Sequence, residues 1–189
     1  MNEPVKWSGK IGRHDVKLYT CEIDSPVGPL FVAVDEGGAL VRLEFLGSKR
    51  PQALATELEA SGARAERNAS RCETVTRQLA EYFRGERRDF ELEVRPVGTP
   101  FQVRVWDELR RIPFGTTISY AQLATRIGEP GASRAVGRAN GTNPVAIVVP
   151  CHRVIGADGS LTGYGGGLPI KRALLALEKS GAQLEMPIP

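Results

Sequence analysis

Pro96-Val97-Gly98 reads as a linker between a β-rich half and a mainly helical one, so one regular architecture cannot run through the whole chain. Upstream, VKLYTCEI, LFVAVD and ALVRLEFL are β-rich runs separated by Ser25-Pro26-Val27-Gly28-Pro29 and Gly37-Gly38, which predicts an antiparallel meander. Pro51-Gln52-Ala53-Leu54 opens a helical stretch that fades at Gly62. A stronger helix is predicted from about Cys72 to Phe83, with Val75, Leu79 and Tyr82/Phe83 at helical spacing and Gly85 as its stop. Phe90-Glu91-Leu92-Glu93-Val94 alternates as an edge strand does. Downstream the period is helical. Thr99-Pro100 starts a helix with Phe101, Val105, Trp106 and Leu109 as its stripe, and Ile112-Pro113-Phe114-Gly115 breaks it. The expected class is α+β in two domains, 1–95 and 96–189, with residues 1–14 a polar, poorly ordered lead-in.

Composition sets outer limits. At 189 residues, 41% hydrophobic and 25% charged, the chain is not disordered and suits one ordinary domain or two small ones. No apolar run approaches the roughly 18–20 residues of a membrane-spanning helix, and MNEPVKWSGKIGRHD lacks the core of a signal peptide. Cys21, Cys72 and Cys151 are odd in number and unpaired in spacing, which points to a reducing compartment and a cytoplasmic location. With only His14 and His152, and no CxxC or HxxxH, no metal site is expected. The net charge of +3 divides into −2 over residues 1–93 and +5 over residues 94–189. A basic half suits a polyanionic partner, although a merely solvated basic surface carries the same charge.

Within that half, Ser119-Tyr120-Ala121-Gln122 has the form of a capping box, with Leu123 and Ile127 continuing inward and Gly128 as the stop. Glu129-Pro130-Gly131 leads to Ala132–Asn140, ended by Gly141. Two short helices across a glycine-containing turn form a helix-turn-helix pattern. Ala132, Ala135, Val136 and Ala139 share one side of the second helix, while Arg134 and Arg138 share the other with Gly137 between them. Two arginines among small residues allow close approach to a nucleic-acid backbone and entry into a narrow groove. An alanine-rich core helix with solvated arginines is the plain alternative.

Asn143-Pro144 marks a turn, and Val145–Val149 reads as a buried β run ending at Pro150. Cys151 and His152 follow directly and form a candidate nucleophile–base pair. Neighbours in extended chain face opposite sides, so a bridging water is expected between them. An inert buried thiol is the alternative, and it is retained for Cys21 and Cys72. Glu178 lies on a predicted helix from Pro169 to about Ser180, with Ile170, Leu174 and Leu177 inward and Gly181 as the stop. A carboxylate beside an apolar face needs a partner, and His152 supplies one, giving the order carboxylate, imidazole, water, thiol. A glutamate reaching past the helix edge to solvent is the alternative. Thr162–Pro169, with its Gly165-Gly166-Gly167 run, is either a pocket wall closing on a flat ligand or a long turn. It is not a phosphate loop, because no Lys-Ser/Thr follows.

The stretch Asn143-Pro144-Val145, then four residues, then Pro150-Cys151-His152-Arg153-Val154 resembles the active-site signature of the O6-alkylguanine-DNA alkyltransferases, the methylated-DNA–protein-cysteine methyltransferases. The likeness extends through ISYAQLA, SRAVGRANGTNP, GYGGG and KRALLALE, and in the first half through DSPVGPL and the β-rich run after it. It implies a ribonuclease-H-like N-terminal domain and a C-terminal winged helix-turn-helix domain that carries the cysteine. It further implies direct-reversal repair, an irreversible single-turnover transfer of the alkyl group from O6-alkylguanine in double-stranded DNA to Cys151. O4-alkylthymine is left open as a second substrate.

In that scheme the helix over Ala132–Asn140 enters the minor groove through Arg134, Ala135, Gly137 and Arg138, and Arg134 fills the stack vacated by the flipped base. His152, oriented by Glu178, takes the thiol proton through water. Tyr120 protonates the departing guanine, and Asn143 braces the turn. Cys151 and Val154 main chain, with Tyr164 and Gly165, hold the base. Gly165 stands where some members carry serine, and the zinc ligands of some members are not evident, so no metal and no cofactor are expected. The resemblance requires no membrane and no protein partner, and it leaves self-association along DNA open. Two competing readings are a helix-turn-helix regulator without chemistry and a thiol hydrolase built on Cys151, His152 and Glu178. The family's non-catalytic relatives lack the cysteine present here. A hydrolase would need an oxyanion hole and would leave the arginine face unexplained.

Overall fold

A computed structural model describes residues 16–47, 50–181 and 183–184. The predicted lead-in, 1–14, and His14 within it lie outside them. The meander forms as expected from β1 (Val16–Ile23), β2 (Leu30–Asp35) and β3 (Leu40–Phe45), paired antiparallel in sequence order. Its turns close where glycine permits positive φ, at Gly28 (89°) and Gly38 (85°). A fourth strand, β4 (Ala63–Arg67), runs parallel to β1 and gives the order β3-β2-β1-β4. No sequence signal announced it.

β2 is buried along its whole length, so its alternating side chains serve two cores. Phe31 and Ala33 pack with Leu54 and Leu58 of α1 (Pro51–Ala60) on one face. Leu30, Val32 and Val34 face a larger cluster that includes Val75, Leu79, Tyr82 and Phe83 of α2 (Glu73–Phe83) and runs on into the second half of the chain. Phe90–Val94 does not form the predicted strand. It contributes only a bridge to β3, through Leu40 N to Glu93 O and Arg95 N to Leu40 O, both 2.8 Å.

The second half holds α3 (Pro100–Leu109), α4 (Tyr120–Arg126), α5 (Ser133–Gly141) and α6 (Leu168–Ser180). A small parallel pair joins β5 (Ile118–Ser119) to β6 (Val154–Ile155). Capping boxes start α3, through Thr99 and Gln102, and α4, through Ser119 and Gln122. Trp106 of α3 donates from Nε1 to Ala139 O of α5 at 2.8 Å. Gly98 is required beside it, because a Cβ there would lie 2.5 Å from the indole ring. No helix among the described residues is long and apolar enough to cross a membrane.

Candidate active site

The site begins at Asn143, whose side chain replaces backbone pairing over the next six residues. Its Oδ1 accepts from Val145 N at 3.0 Å, and its Nδ2 donates to Val149 O at 2.8 Å. Val145–Val149 is therefore not the predicted strand. Only Val145 bridges to Leu43 of β3, and the rest is a stack of turns. Val148 N donates to Ala146 O, closing a γ-turn about Ile147 at φ 69°. That conformation is rare and strained for a β-branched residue, so it persists only where neighbours over-determine it. A second γ-turn, Cys151 N to Val149 O about Pro150, delivers the cysteine.

Cys151, His152 and Arg153 then form one turn of 3-10 helix rather than extended chain. All three are buried, and the His152 ring is fully so. His152 Nε2 lies 2.7 Å from Glu178 Oε1. Glu178 on α6 also accepts from Arg153 Nε and Nη2, both at 2.9 Å, from Tyr82 Oη at 2.8 Å and from Gly115 N at 3.1 Å. Burial alone would raise the Glu178 pKa, but the hydrogen bonds from His152 and Arg153 outweigh it and hold the group at about 2. Burial pushes the His152 pKa down, against the pull of Glu178. A neutral imidazole donating from Nε2 leaves Nδ1 as the acceptor, and Nδ1 has no protein partner among the described residues. Burial raises the Cys151 thiol, while Asn143 and the Lys171 charge pull it back.

Lys171 is itself fully buried and has no acidic partner among the described residues. Its Nζ donates to Val154 O at 2.6 Å and Thr162 O at 3.3 Å. Thr162 Oγ1 in turn lies 2.8 Å from Tyr120 Oη. A cleft of about 300 Å³ is lined by Cys151, Asn140, Asn143, Tyr164 and Gly165, with Arg42, Glu44 and Phe45 of β3 on the far wall. That volume is at the lower end of small-molecule sites. A Cβ on Gly165 would meet nothing within 4 Å, so a serine would fit there.

Of the predicted residues, Cys151, Asn143, Tyr164 and Gly165 meet in this cleft, and His152 and Glu178 stand behind it. Val154 does not line it. Tyr120 does not line it; its ring packs against α5, where a Cβ on Gly137 would lie 3.7 Å away, and its hydroxyl meets Thr162 of the loop that carries Tyr164. Arg134 and Arg138 are exposed on the outer side of α5, Ala135 and Gly137 are half-buried, and the end of the same helix, Asn140 and Gly141, reaches the cleft. Arg153, Tyr82, Gly115, Lys171 and the β3 wall were not foreseen. Lys171 had a readable signal, because it falls three residues before Leu174 and seven before Glu178 on the buried stripe of α6.

Known proteins match both parts of the chain. Residues 18–96 match the 6-O-methylguanine DNA methyltransferase ribonuclease-like domain, and residues 100–180 match the DNA binding domain of the same family. A methylated-DNA–protein-cysteine methyltransferase of Mycobacterium tuberculosis is 49% identical over 164 residues, 87% of this chain and 94% of the relative. Its counterpart in Methanosarcina acetivorans is 46% identical over 163 residues, 86% and 99% of the two chains. Among solved structures, M. tuberculosis OGT in complex with DNA superposes with a TM-score of 0.76 at 48% identity, covering 89% of this chain and 96% of that one. The Pyrococcus kodakaraensis O6-methylguanine-DNA methyltransferase gives 0.61 at 27% identity, covering 85% and 98%. With both of its parts matched and the cysteine set between Asn143 and the His152–Glu178 pair, the chain belongs to the 6-O-methylguanine DNA methyltransferase family.

Proposed function

We propose that this protein repairs double-stranded DNA by moving the alkyl group of O6-alkylguanine onto Cys151, in a single irreversible turnover. The observation that carries the reading is a buried thiol in a base-sized cleft, one residue from an imidazole locked by a carboxylate. Residues 1–95 act as the supporting domain and 96–189 as the DNA-binding, alkyl-accepting one. The exposed arginine face of α5 enters the minor groove, and Arg134 takes the place of the extruded nucleotide. The target base settles between Tyr164, Gly165 and the Cys151 main chain.

His152 Nδ1 receives the thiol proton through a water, and Glu178 stabilises the resulting imidazolium. The Cys151 thiolate attacks the alkyl carbon. The sulfur–carbon bond forms as the carbon–oxygen bond breaks, and the electron pair leaves on guanine. Tyr120 protonates the leaving base and regains a proton from solvent, while His152 gives up the thiol's proton to solvent, so the net change is one proton from the thiol to guanine. Asn143 holds the nucleophile's turn stack throughout. The acceptor is the protein itself, and no cofactor takes part.

Intact-protein mass spectrometry after incubation with duplex O6-methylguanine DNA tests this. One added methyl, mapped to the Cys151 peptide and lost in Cys151→Ala, is expected. An unchanged mass on folded, reduced, DNA-bound protein would favour a binding protein without chemistry.

A further inference from the structure

Phe45 ends β3 in the first half of the chain, yet it lines the cleft of Cys151. Its ring meets Tyr164 edge-on, with centroids 5.5 Å apart and planes at 62°. Two residues along the same loop, a Cβ on Gly166 would come within 2.9 Å of the Phe45 ring. Gly166 has no positive φ that would call for glycine, so contact with Phe45 is what the missing side chain permits. Cβ atoms on Gly163 and Gly165 would meet nothing within 4 Å, so among these glycines only Gly166 is pressed by a side chain from the first half of the chain. The wall behind it is fixed. Leu43, two residues before Phe45, donates to Pro144 O and accepts from Ala146 N, both at 2.8 Å, so the strand that presents Phe45 also anchors the turns leading to Cys151.

We propose that Phe45 is a specificity-determining residue. By clamping the loop over Tyr164–Gly166, it sets how large an O6 substituent the cleft admits. It touches no reacting atom and acts by positioning. The inference rests on Cys151 being the alkyl acceptor and the cleft being its base pocket. Without the ring the loop can retreat. A small substituent then loses its preorganised wall, while a bulky one gains room.

The test compares rates of Cys151 alkylation by duplexes carrying O6-methylguanine or O6-benzylguanine. The full-length chain is used as wild type, Phe45→Ala, Phe45→Leu, Gly166→Ala and the two double variants. Phe45→Ala should raise the benzyl-to-methyl rate ratio about two- to twelvefold, the size of one edge-to-face aromatic pair, with Phe45→Leu between. Gly166→Ala should slow both reactions, and Phe45→Ala in the same chain should recover most of that loss, because the obstructing ring is gone. A merely structural Phe45 would scale both rates with the folded fraction, leave the ratio unchanged and make the Gly166→Ala defect additive. That result overturns the proposal. If melting shows Phe45→Ala unfolded, the Phe45→Leu and Gly166→Ala cycle decides it by the same two criteria. Wild-type protein left unalkylated at Cys151 by either duplex would instead refute the assignment of the acceptor.

Discussion

Glu178 is the residue on which the site's charge balance turns. Its carboxyl sits at about 2 in the fold against an ordinary 4.5, so between those values the unfolded chain binds more protons than the folded one. Stability present above pH 4.5 is therefore lost as acid is added through that window, on the order of 3 kcal/mol. His152, drawn below 6.5 by burial, has the same sign, and its loss begins as pH falls under 6.5. Cys151 has the opposite one. Its thiol is pushed above 9.0, so the unfolded chain deprotonates first and stability declines at high pH. Denaturant midpoints measured against pH should show a plateau between these limits. Glu178→Gln should flatten the acid fall below pH 4.5 while costing about 3–5 kcal/mol at neutral pH, because Arg153 stays buried without its counter-charge. An unchanged acid limb in that variant would remove Glu178 from the account.

At the scale of elements, α5 serves two surfaces at once. Val136, Ala139 and Asn140 are buried, whereas Arg134 and Arg138 point to solvent and have no ion-pair partner among the described residues. Its partner helix α4 is fixed in place by the Ser119–Gln122 capping box, and Gly128 (φ 80°) and Gly131 (φ 99°) shape the turn between them. An arginine free of internal partners is available to DNA at no structural cost. Arg134→Ala is accordingly expected to leave the unfolding free energy within about 0.5 kcal/mol of wild type. It should slow repair of duplex O6-methylguanine strongly while sparing reaction with free O6-benzylguanine. Equal loss on the duplex and the free base would exclude a base-extruding role for Arg134.

The whole molecule is held by contacts between its halves. One apolar cluster runs from β2 and α2 to Val105, Trp106, Val149 and Leu177. Leu43 of β3 bonds the nucleophile's turn stack, and Tyr82 of α2 donates to Glu178 across a sequence gap of 96 residues. Cys21 and Cys72 belong to this cluster as buried packing residues. Chemical denaturation should then give a single transition. Tyr82→Phe should lower its midpoint, with a loss of about 1.5–3 kcal/mol in unfolding free energy, the size of a hydrogen bond to a charged group. Two separable transitions, or a midpoint that ignores Tyr82→Phe, would show the halves to be independent.

Local signals were legible because their causes lie within a few residues. Thr99 with Gln102 and Ser119 with Gln122 make capping boxes from their own side chains, Gly181 ends α6 at φ 66°, and the meander follows from its glycine turns. The Pro150-Cys151-His152-Arg153-Val154 stretch likewise pointed to Cys151 and His152, which the fold buries at the cleft and behind it. What long-range contact decides was not legible. Ala63–Arg67 has no β-branched residue and becomes a strand only because β1 offers it an open edge. Val145–Val149 has the composition of a strand, yet Asn143 and Leu43 satisfy its backbone as turns and force Ile147 to positive φ. The five hydrogen bonds on Glu178 and the Phe45 wall join residues from both halves of the chain. Sequence by itself determined the locally capped helices and glycine-closed turns, and it singled out Cys151, His152 and Glu178 as the candidate chemistry. Tertiary structure alone decided which of them share a cleft, because burial and pairing across the fold are properties of no single segment.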